Sequence, residues 1–265
     1  MNCTNLAAAF LFAGGLFPMS AQNPAGPASF GYNEAQSHEL KPHRGIIPTE
    51  GVRSGFHQFG LKLIVSPTGQ VTEADAKGMP EELKHWPQVK GEILQWKFAP
   101  FLVDGTPVTA SVEEYLDLVP LERFPKTHVA PPVLRPDSKV AITLQRTTCY
   151  GTCPVYTVTV STTGIVFNGD RFVAATGRHT APVDPDVVRK LAARFIAADF
   201  YSMDPRYVAS VTDNPDYYLS ITIDGRKKEV HDYVGQWEGM PAVVVELEDA
   251  VDELAQTSRW IKRGQ

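Results

Sequence analysis

Cysteine, long apolar runs and concentrated positive charge are all scarce in this chain. Its 265 residues include three cysteines, and its formal net charge is −5. No run of like charge is longer than Arg226-Lys227-Lys228. Nucleic acids are bound by concentrated basic faces, so we expect no nucleic-acid partner. A hydrophobic content of 43% is ordinary for a soluble protein with packed cores.

The apolar run near the N-terminus is too short to cross a membrane. It covers residues 6–17, which is 12 residues, whereas a spanning helix needs about 20. Small residues at Ser20 and Ala21 follow it, a pattern typical of a secretory signal peptide. We therefore expect residues 1–21, including Cys3, to be removed. The rest is expected to be exported to the periplasm or the extracellular space, with no membrane span after cleavage.

Proline divides the remaining chain. Five prolines lie between positions 120 and 136, which disfavours helices and central strands there. Residues 122–138 are therefore predicted to be a linker between two domains, at 49–121 and 139–262. Residues 22–48 are rich in Pro, Gly, Ala, Asn and Ser, and they predict a disordered lead-in.

Both domains are predicted to be small and α+β, each with an antiparallel sheet packed against one or two helices. In the first domain, alternating Leu61, Leu63 and Val65 and the turn at residues 67–69 predict a hairpin. A helix is expected mainly in the second half of residues 81–96. A strand pair is expected between residues 96–98 and 108–118, with a turn at 104–105.

The first domain resembles the C-terminal domain of TonB-type energy transducers. The similarity lies in Gly69-Gln-Val71, Trp96-Lys-Phe98-Ala-Pro100 and Asp104-Gly-Thr-Pro-Val108. The resemblance implies a small sheet with a helix across it that holds peptides by strand addition. An energy transducer needs an uncleaved anchor and a long proline-rich spacer, and we expect this chain to have neither, so the resemblance suggests the fold and not energy transduction.

In the second domain, alternation predicts strands around residues 140–144, 156–160 and 219–223. Asn168-Gly169 is predicted to be a hairpin turn that opens a strand at residues 171–175. Asp184-Pro185 is typical of a helix start, and Asp224-Gly225 of a turn into a strand at 226–233. An apolar stripe from Met240 to Leu254 predicts a final helix.

This domain resembles an uncharacterised bacterial domain family whose members are often exported. The similarity rests on Arg146-x-x-Cys149-x-Gly151-x-Cys153-Pro154-x-Tyr156 and on Thr212-Asp213-x-Pro215 downstream. It implies a fold and a location but no activity.

Cys149 and Cys153 have three interpretations. After signal removal they form an even pair in an oxidising compartment, so a structural disulfide is favoured. A redox pair would need a lowered thiol pKa, for which Arg146 is the available cation, although a strand and not a helix follows Cys153. A zinc site would need His179 and His231 as further ligands.

The remaining residues of interest are Arg146, Tyr156, Asp213 and His231, a functional or structural cluster in which Arg146 is expected to pair with Asp213. His231 and Asp232 are neighbours on a strand and so point to opposite faces. Motifs for a serine nucleophile, a zinc protease or a phosphate loop are missing from the sequence.

We therefore expect no catalytic residue, metal or cofactor. The expected function is a non-catalytic binding protein whose partner is an envelope protein or peptide. The alternative is a thiol–disulfide redox protein that uses Cys149 and Cys153. The sequence does not specify an oligomeric state.

Overall fold

A computed structural model describes residues 26–38, 40 and 45–261. The predicted signal peptide at residues 1–21, with Cys3, lies outside the described residues. Within them, no helix is both long enough and apolar enough to cross a membrane. The described chain is mixed α+β with its sheets grouped in separate parts, which agrees with the predicted two small domains.

The first domain is built on a five-stranded sheet. Strand β7 lies beside β3, β3 lies beside β4, and both β1 and β2 lie on the outer side of β7. The strands of this domain are β1 (Ala28–Phe30), β2 (Ile46–Pro48), β3 (Gln58–Val65), β4 (Val71–Lys77), the short pair β5 (Leu102–Val103) and β6 (Thr106–Pro107), and β7 (Ala110–Val119). Its helices are α1 (Tyr32–His38), α2 (Pro80–Leu83) and α3 (Trp86–Ile93).

The predicted hairpin of β3 and β4 is confirmed, and its turn depends on Gly69. The two strands pair in antiparallel register from Gly60 and Lys77 to Val65 and Val71. Gly69 has a φ of +84°, and its carbonyl accepts a 2.8 Å hydrogen bond from the amide of Phe98. The helix expected mainly in the second half of residues 81–96 is α3, which has Pro87 in its first turn, and a separate short helix, α2, begins at Pro80.

The predicted strand pair between residues 96–98 and 108–118 is wrong. Lys97 forms a bridge with Gln70, and β7 pairs with β3 along its length. Asp104 and Gly105 do form a turn, but it joins only the two-residue strands β5 and β6. The buried rings of Trp96 and Phe98 instead hold their segment against the core beside β4.

The prediction that residues 22–48 are disordered is wrong for β1, α1 and β2. Strand β1 pairs in parallel with residues 110–112 of β7, and β2 pairs in parallel with residues 117–119. Phe30 packs against Phe101 with ring centroids 4.8 Å apart. The open edge of β7 provides backbone hydrogen-bond partners for β1 and β2, which composition alone does not indicate. Residues 22–25, 39 and 41–44 lie outside the described residues.

The second domain is a seven-stranded sheet in the order β11, β10, β9, β8, β13, β14, β12. The strands are β8 (Val140–Arg146), β9 (Tyr156–Ser161), β10 (Gly164–Gly169), β11 (Gly177–Ala181), β12 (Arg206–Val208), β13 (Tyr217–Ile223) and β14 (Arg226–Tyr233). The helices are α4 (Pro185–Ala197), α5 (Ala242–Ala255) and α6 (Ser258–Ile261). Helices α4 and α5 pack on the apolar face of β8 and β9.

Most local predictions for this domain agree with the structure. The Asp184 side chain accepts from the amide of Asp186 and begins α4, and Asp224-Gly225 joins β13 to β14. The predicted hairpin at Asn168-Gly169 is wrong, because β10 continues through Gly169, which lies opposite Gly177. The turn is instead the longer segment 170–176, with Phe172 at a φ of +56°.

The proline-rich segment 122–138 contains no helix or strand, as predicted, but it is bonded to the second domain. The amide of Val129 donates to Ser202, and Ser138 donates to Asp224. The domains also touch through the 3₁₀ turn Gly235–Glu238, where Trp237 packs on Phe56 with ring centroids 5.1 Å apart. Arg123 donates its amide to the carbonyl of Gly239 at 2.7 Å.

A pair of glycine substitutions tests the turn that closes the first hairpin. Gly69 and Gly105 both have positive φ, but a Cβ at Gly69 would overlap the carbonyl oxygen of Phe98, whereas a Cβ at Gly105 would meet open space. Gly105→Ala is expected to cost about 1 kcal/mol for the backbone alone. Gly69→Ala is expected to cost at least about 2 kcal/mol more, from the clash. Native-state hydrogen exchange of β3 and β7 measures both, and equal losses would contradict the role of the close approach.

Candidate functional site

A row of four polar side chains crosses one end of the second sheet. Tyr156 of β9 lies opposite Arg146 of β8, Arg146 lies opposite Tyr217 of β13, and Tyr217 lies opposite Asp232 of β14. Each shares a strand face with buried apolar residues, because side chains alternate along a strand. All four therefore lie on the face covered by the helices. We call this set the cross-strand row.

Asp252 of α5 joins two members of the cross-strand row. Arg146 donates from Nε and Nη2 to Oδ2 of Asp252, at 3.1 and 2.7 Å. The hydroxyl of Tyr156 donates to the same carboxylate, with its oxygen 2.8 Å from Oδ1 and 2.9 Å from Oδ2. The side chains of Arg146 and Asp252 are only 17% and 19% exposed. This is a largely buried ion pair in which one carboxylate accepts from two strands.

The cation of Arg146 has a second contact. Its guanidinium carbon lies 4.2 Å from the ring centroid of Tyr217, the next member of the row. A cation above an aromatic face is attracted by the ring quadrupole, more strongly where water is excluded. The guanidinium is therefore held from two sides, by the Asp252 carboxylate and by the Tyr217 ring.

The disulfide loop connects Arg146 to Tyr156. The sulfur atoms of Cys149 and Cys153 lie at bonding distance, and their Cα atoms are 5.8 Å apart, as the structural interpretation expected. At the tip, Tyr150 is 88% exposed, while its amide donates to the carbonyl of Asp213 at 3.0 Å. The loop is thus fixed by a covalent bond in its middle and by Asp252 at both ends.

Two carboxyl groups next to the ion pair are buried, and burial raises the pKa of each. Burial raises the pKa of Asp232 to about 6, against the opposing effects of a hydrogen bond from the Gly235 amide and the charge of His231. Burial, and then the charge of Asp232, raises the pKa of Glu248 well above its usual range. Glu248 is 1% exposed, and its Oε1 has no hydrogen-bond partner among the described residues.

The expected pair of Arg146 with Asp213 is wrong, since Arg146 binds Asp252. Asp213 lies in an exposed loop with a φ of +74°, where its carbonyl, and not its carboxylate, contacts the disulfide loop. His231 lies on the opposite sheet face from Arg146, 2.6 Å from Asp216 and stacked on Tyr218. Of the four residues predicted to cluster, the structure brings together only Arg146 and Tyr156.

The sequence interpretation missed Tyr217, Glu248 and Asp252. One signal was present for the helix residues: Glu248 lies within the apolar stripe of α5, between Val244 and Val251, and Asp252 lies one turn further. A carboxylate inside a buried stripe requires a partner, because a lone buried charge is costly. The apolar stripe of α5 alone does not identify that partner.

Cys149, Cys153, His179 and His231, the four ligands that the zinc interpretation would need, are not brought together. Among the residues that the structure describes, no group of three or more His, Cys, Asp or Glu side chains is arranged to hold a metal ion. The Nε2 of His179, on β11, lies 2.9 Å from the carbonyl oxygen of Thr176, and β11 is several strands away from the strand that carries His231. The redox interpretation loses the cation on which it relied, because Arg146 is paired with Asp252.

Comparison with known proteins supports one of the two resemblances in coarse form. Residues 140–255 match the model of a domain of unknown function, DUF6438. This range contains the cross-strand row, the disulfide loop and α5. No curated protein and no solved structure matches the chain. The resemblance of the first domain to the TonB C-terminal domain stays a prediction.

Removal of the shared carboxylate is expected to destabilise the second domain strongly. Asp252→Ala leaves Arg146 buried without its counter-ion, and breaking such a pair costs about 3 to 5 kcal/mol. Glu229→Ala is the matched control, because Glu229 pairs with Lys227 on the surface and such pairs contribute about 1 kcal/mol or less. Urea unfolding of both variants measures the difference. Similar losses would show that the Asp252 pair is no more than a surface contact.

The pKa of Asp232 predicts a stability change with pH. Its folded pKa of about 6 exceeds the ordinary value of 3.8, so burial of the charged form costs about 3 kcal/mol. That cost is absent below pH 3.8, develops between pH 3.8 and 6, and is complete above pH 6. Asp232→Asn keeps an oxygen acceptor for the Gly235 amide and removes the charge.

We therefore expect Asp232→Asn to be more stable than the wild type at pH 8 and equally stable near pH 4. Asp213→Asn makes the same chemical change in an exposed loop and is expected to change stability at neither pH. Urea unfolding at the two pH values measures the effect. If Asp232→Asn lost stability at pH 8, the carboxylate would be needed in its charged form and the interpretation would be wrong.

Proposed function

We propose that this protein is an exported, non-catalytic binding protein of the bacterial periplasm or cell envelope, and that its first domain holds an extended segment of a protein or peptide partner. The observation that carries the proposal is the pairing of β1 and β2 with the outer edge of β7. Both are short, separate pieces of a polar segment, and both are held by a strand that would otherwise be an open edge.

The binding position is the one that β1 occupies. Three residues of β1 match three residues of β7 in parallel register, from Ala28 with Ala110 to Phe30 with Val112. The exposed side chain of Ser29 adds no buried contact, whereas the half-buried Phe30 packs against Phe101. A partner segment that replaces β1 would therefore be extended, run parallel to β7 and carry an aromatic residue at the position of Phe30.

The opposite edge of this sheet is a poorer binding surface. Strand β4 is the outermost strand on that side, and its exposed positions include Glu73, Asp75 and Lys77. Charged side chains on an edge strand discourage pairing with other chains. The β4 and β7 edges therefore differ in how readily they pair with another chain, and an experiment can distinguish them.

The N-terminal sequence and the disulfide support the exported location. The apolar run at residues 6–17 is typical of a signal peptide, and a bonded pair of cysteines fits an oxidising compartment. The second domain, with its loop fixed at Cys149 and Cys153, is proposed to be a rigid neighbour to the binding domain. The contact of Trp237 with Phe56 and the bonded linker join the two.

Site-specific photocrosslinking in cells tests the proposal. A photoreactive residue at Glu113, an exposed position of β7 between the stretches paired with β1 and β2, is expected to capture a defined partner. Phe30→Ala should raise that capture several-fold, since loss of the ring frees the edge. The same residue at Glu73 of β4 is the matched control and should capture little.

Capture at Glu73 and not at Glu113 would show that the wrong edge was assigned. Reproducible absence of any crosslinked partner at both positions would contradict the binding function. Fractionation of the same cells must find the protein outside the cytoplasm, without residues 1–21. Retention in the cytoplasm would contradict export independently of binding.

A further inference from the structure

A second row of polar side chains crosses the second sheet, on the face opposite to α4 and α5. It begins on β11 and ends on β12, and each member lies directly opposite the next one on the neighbouring strand. Neighbouring strands are about 4.8 Å apart, so the row is about 29 Å long. We call it the open-face row, and its members are Arg178, Asn168, Thr157, Gln145, Tyr218, His231 and Arg206.

The open-face row points away from the helices because it is one residue out of step with the cross-strand row. Gln145 precedes Arg146 and Thr157 follows Tyr156 in the chain. Successive side chains of a strand point to opposite faces of the sheet. All members of the open-face row are accordingly exposed or half-buried, whereas the cross-strand row lies under the helices.

Four members of the open-face row have polar groups that the protein does not use. The side chains of Arg178, Asn168, Gln145 and Arg206 are exposed, and none forms a hydrogen bond or ion pair with another residue that the structure describes. They lie on four different strands, including both outermost strands of the sheet. Donors and acceptors are therefore available to a ligand across the full width of the sheet.

The charged groups on this face largely neutralise one another. The Nε2 of His231 lies 2.6 Å from Asp216, and Lys227 donates to Glu229 at 2.7 Å. The two arginines lie at opposite ends of the open-face row, so they form no concentrated basic patch, and the four members that follow Arg178 are two amides and two hydroxyls. Such side chains both donate and accept hydrogen bonds. The matching ligand is uncharged and rich in groups that do the same, which is the chemistry of sugar hydroxyls.

The neighbouring row on the same face is flat and rich in hydroxyl groups. Its members, from β11 to β14, are Thr180, Val166, Thr159, Thr143, Ser220 and Glu229. Peptides are recognised along open strand edges or in apolar grooves. The inner strands of this sheet are paired on both sides, and their side chains on this face are mostly short and polar. The surface therefore suits a ligand that lies across the strands, and it suits a peptide poorly.

The disulfide loop supplies an aromatic side chain next to the open-face row. Gln145 and Thr157 lie close to the two ends of this loop in the chain, and the ring of Tyr150 is exposed at its tip. A tyrosine offers a large apolar ring face together with a polar hydroxyl. Because the disulfide and the hydrogen bond to Asp213 fix the loop before binding, ordering it on a ligand costs little entropy.

We propose that the open-face row binds a segment of a linear, uncharged polysaccharide, with Tyr150 packed against one of its sugar rings. The amides and hydroxyls in the middle of the row bond to sugar hydroxyls, and the arginines at its ends donate to sugar oxygens. A length of about 29 Å favours a polymer over a single sugar. The site lies on the second domain and does not involve β7, so it is independent of the proposed peptide-binding edge.

An NMR titration of the full mature chain tests this proposal. Two uncharged linear hexasaccharides, chitohexaose and cellohexaose, are added in separate experiments, and an acidic one, hexagalacturonate, is added in a third. Saturable shifts of the amide signals of Gln145 and Thr157 are expected with at least one uncharged hexasaccharide. The corresponding monosaccharide should bind at least about tenfold more weakly, because it contacts only part of the row.

Two exposed residues provide the test variants. Gln145→Ala and Tyr150→Ala should each weaken binding about fivefold, through loss of one hydrogen bond and one ring contact respectively. Both side chains are exposed, so both variants are expected to fold. Gln88→Ala is the matched control, since it makes the same change at an exposed position of α3 in the first domain and should leave the affinity unchanged.

Three results would overturn the proposal. The first is equal weakening by Gln145→Ala and Gln88→Ala. The second is shifts that stay linear up to about 20 mM of both uncharged hexasaccharides, a concentration at which even weak binding saturates. The third is binding of hexagalacturonate alone that disappears at high salt, which would indicate general attraction to the arginines. None of these results would bear on the β7 edge, which the photocrosslinking experiment tests separately.

Discussion

The carboxylate of Asp252 holds together the elements on which the second domain depends. It accepts hydrogen bonds from Arg146 on β8 and Tyr156 on β9, and it belongs to the helix that covers both strands. Because these groups are buried, loss of one of them would leave the others without a hydrogen-bond partner that water could replace. The disulfide at Cys149 and Cys153 then closes the chain that runs between the two donors. The loop that carries Tyr150, 88% exposed at its tip, is thereby held in place by a buried ion pair.

The acidic groups around this pair differ in how their burial is compensated. Asp252 is balanced by Arg146, whereas burial raises the pKa of both Glu248 and Asp232. A raised pKa means that the charged form of a carboxyl is disfavoured in its surroundings, which is the usual effect of an apolar environment. The counter-ion of Asp252 is therefore what distinguishes it from the two other carboxyls on this face of the sheet.

Local sequence patterns predicted the positions of helices and strands better than they predicted which residues and strands contact each other. Alternation predicted β3, β8 and β13, and Asp184-Pro185 predicted the start of α4, because these depend on neighbouring residues. The partner of Arg146 is 106 residues away in sequence, and no local pattern distinguishes Asp252 from Asp213 as its counter-ion. The same limit applies to residues 28–30 and 46–48, whose composition indicates disorder but which gain backbone partners from a strand far along the chain. Asn168-Gly169 is typical of a hairpin turn, but both residues lie in β10 because the pairing with β11 continues through them.

The direction of β1 has a mechanical consequence. Because β1 runs parallel to β7, tension between the N-terminal end of β1 and the linker beyond Val119 pulls the two strands along their length in opposite directions. The hydrogen bonds between them are then loaded together, in shear, and do not open one after another as in an unzipped hairpin. An extended segment held in this direction on β7 resists pulling better than its three residues of pairing would suggest.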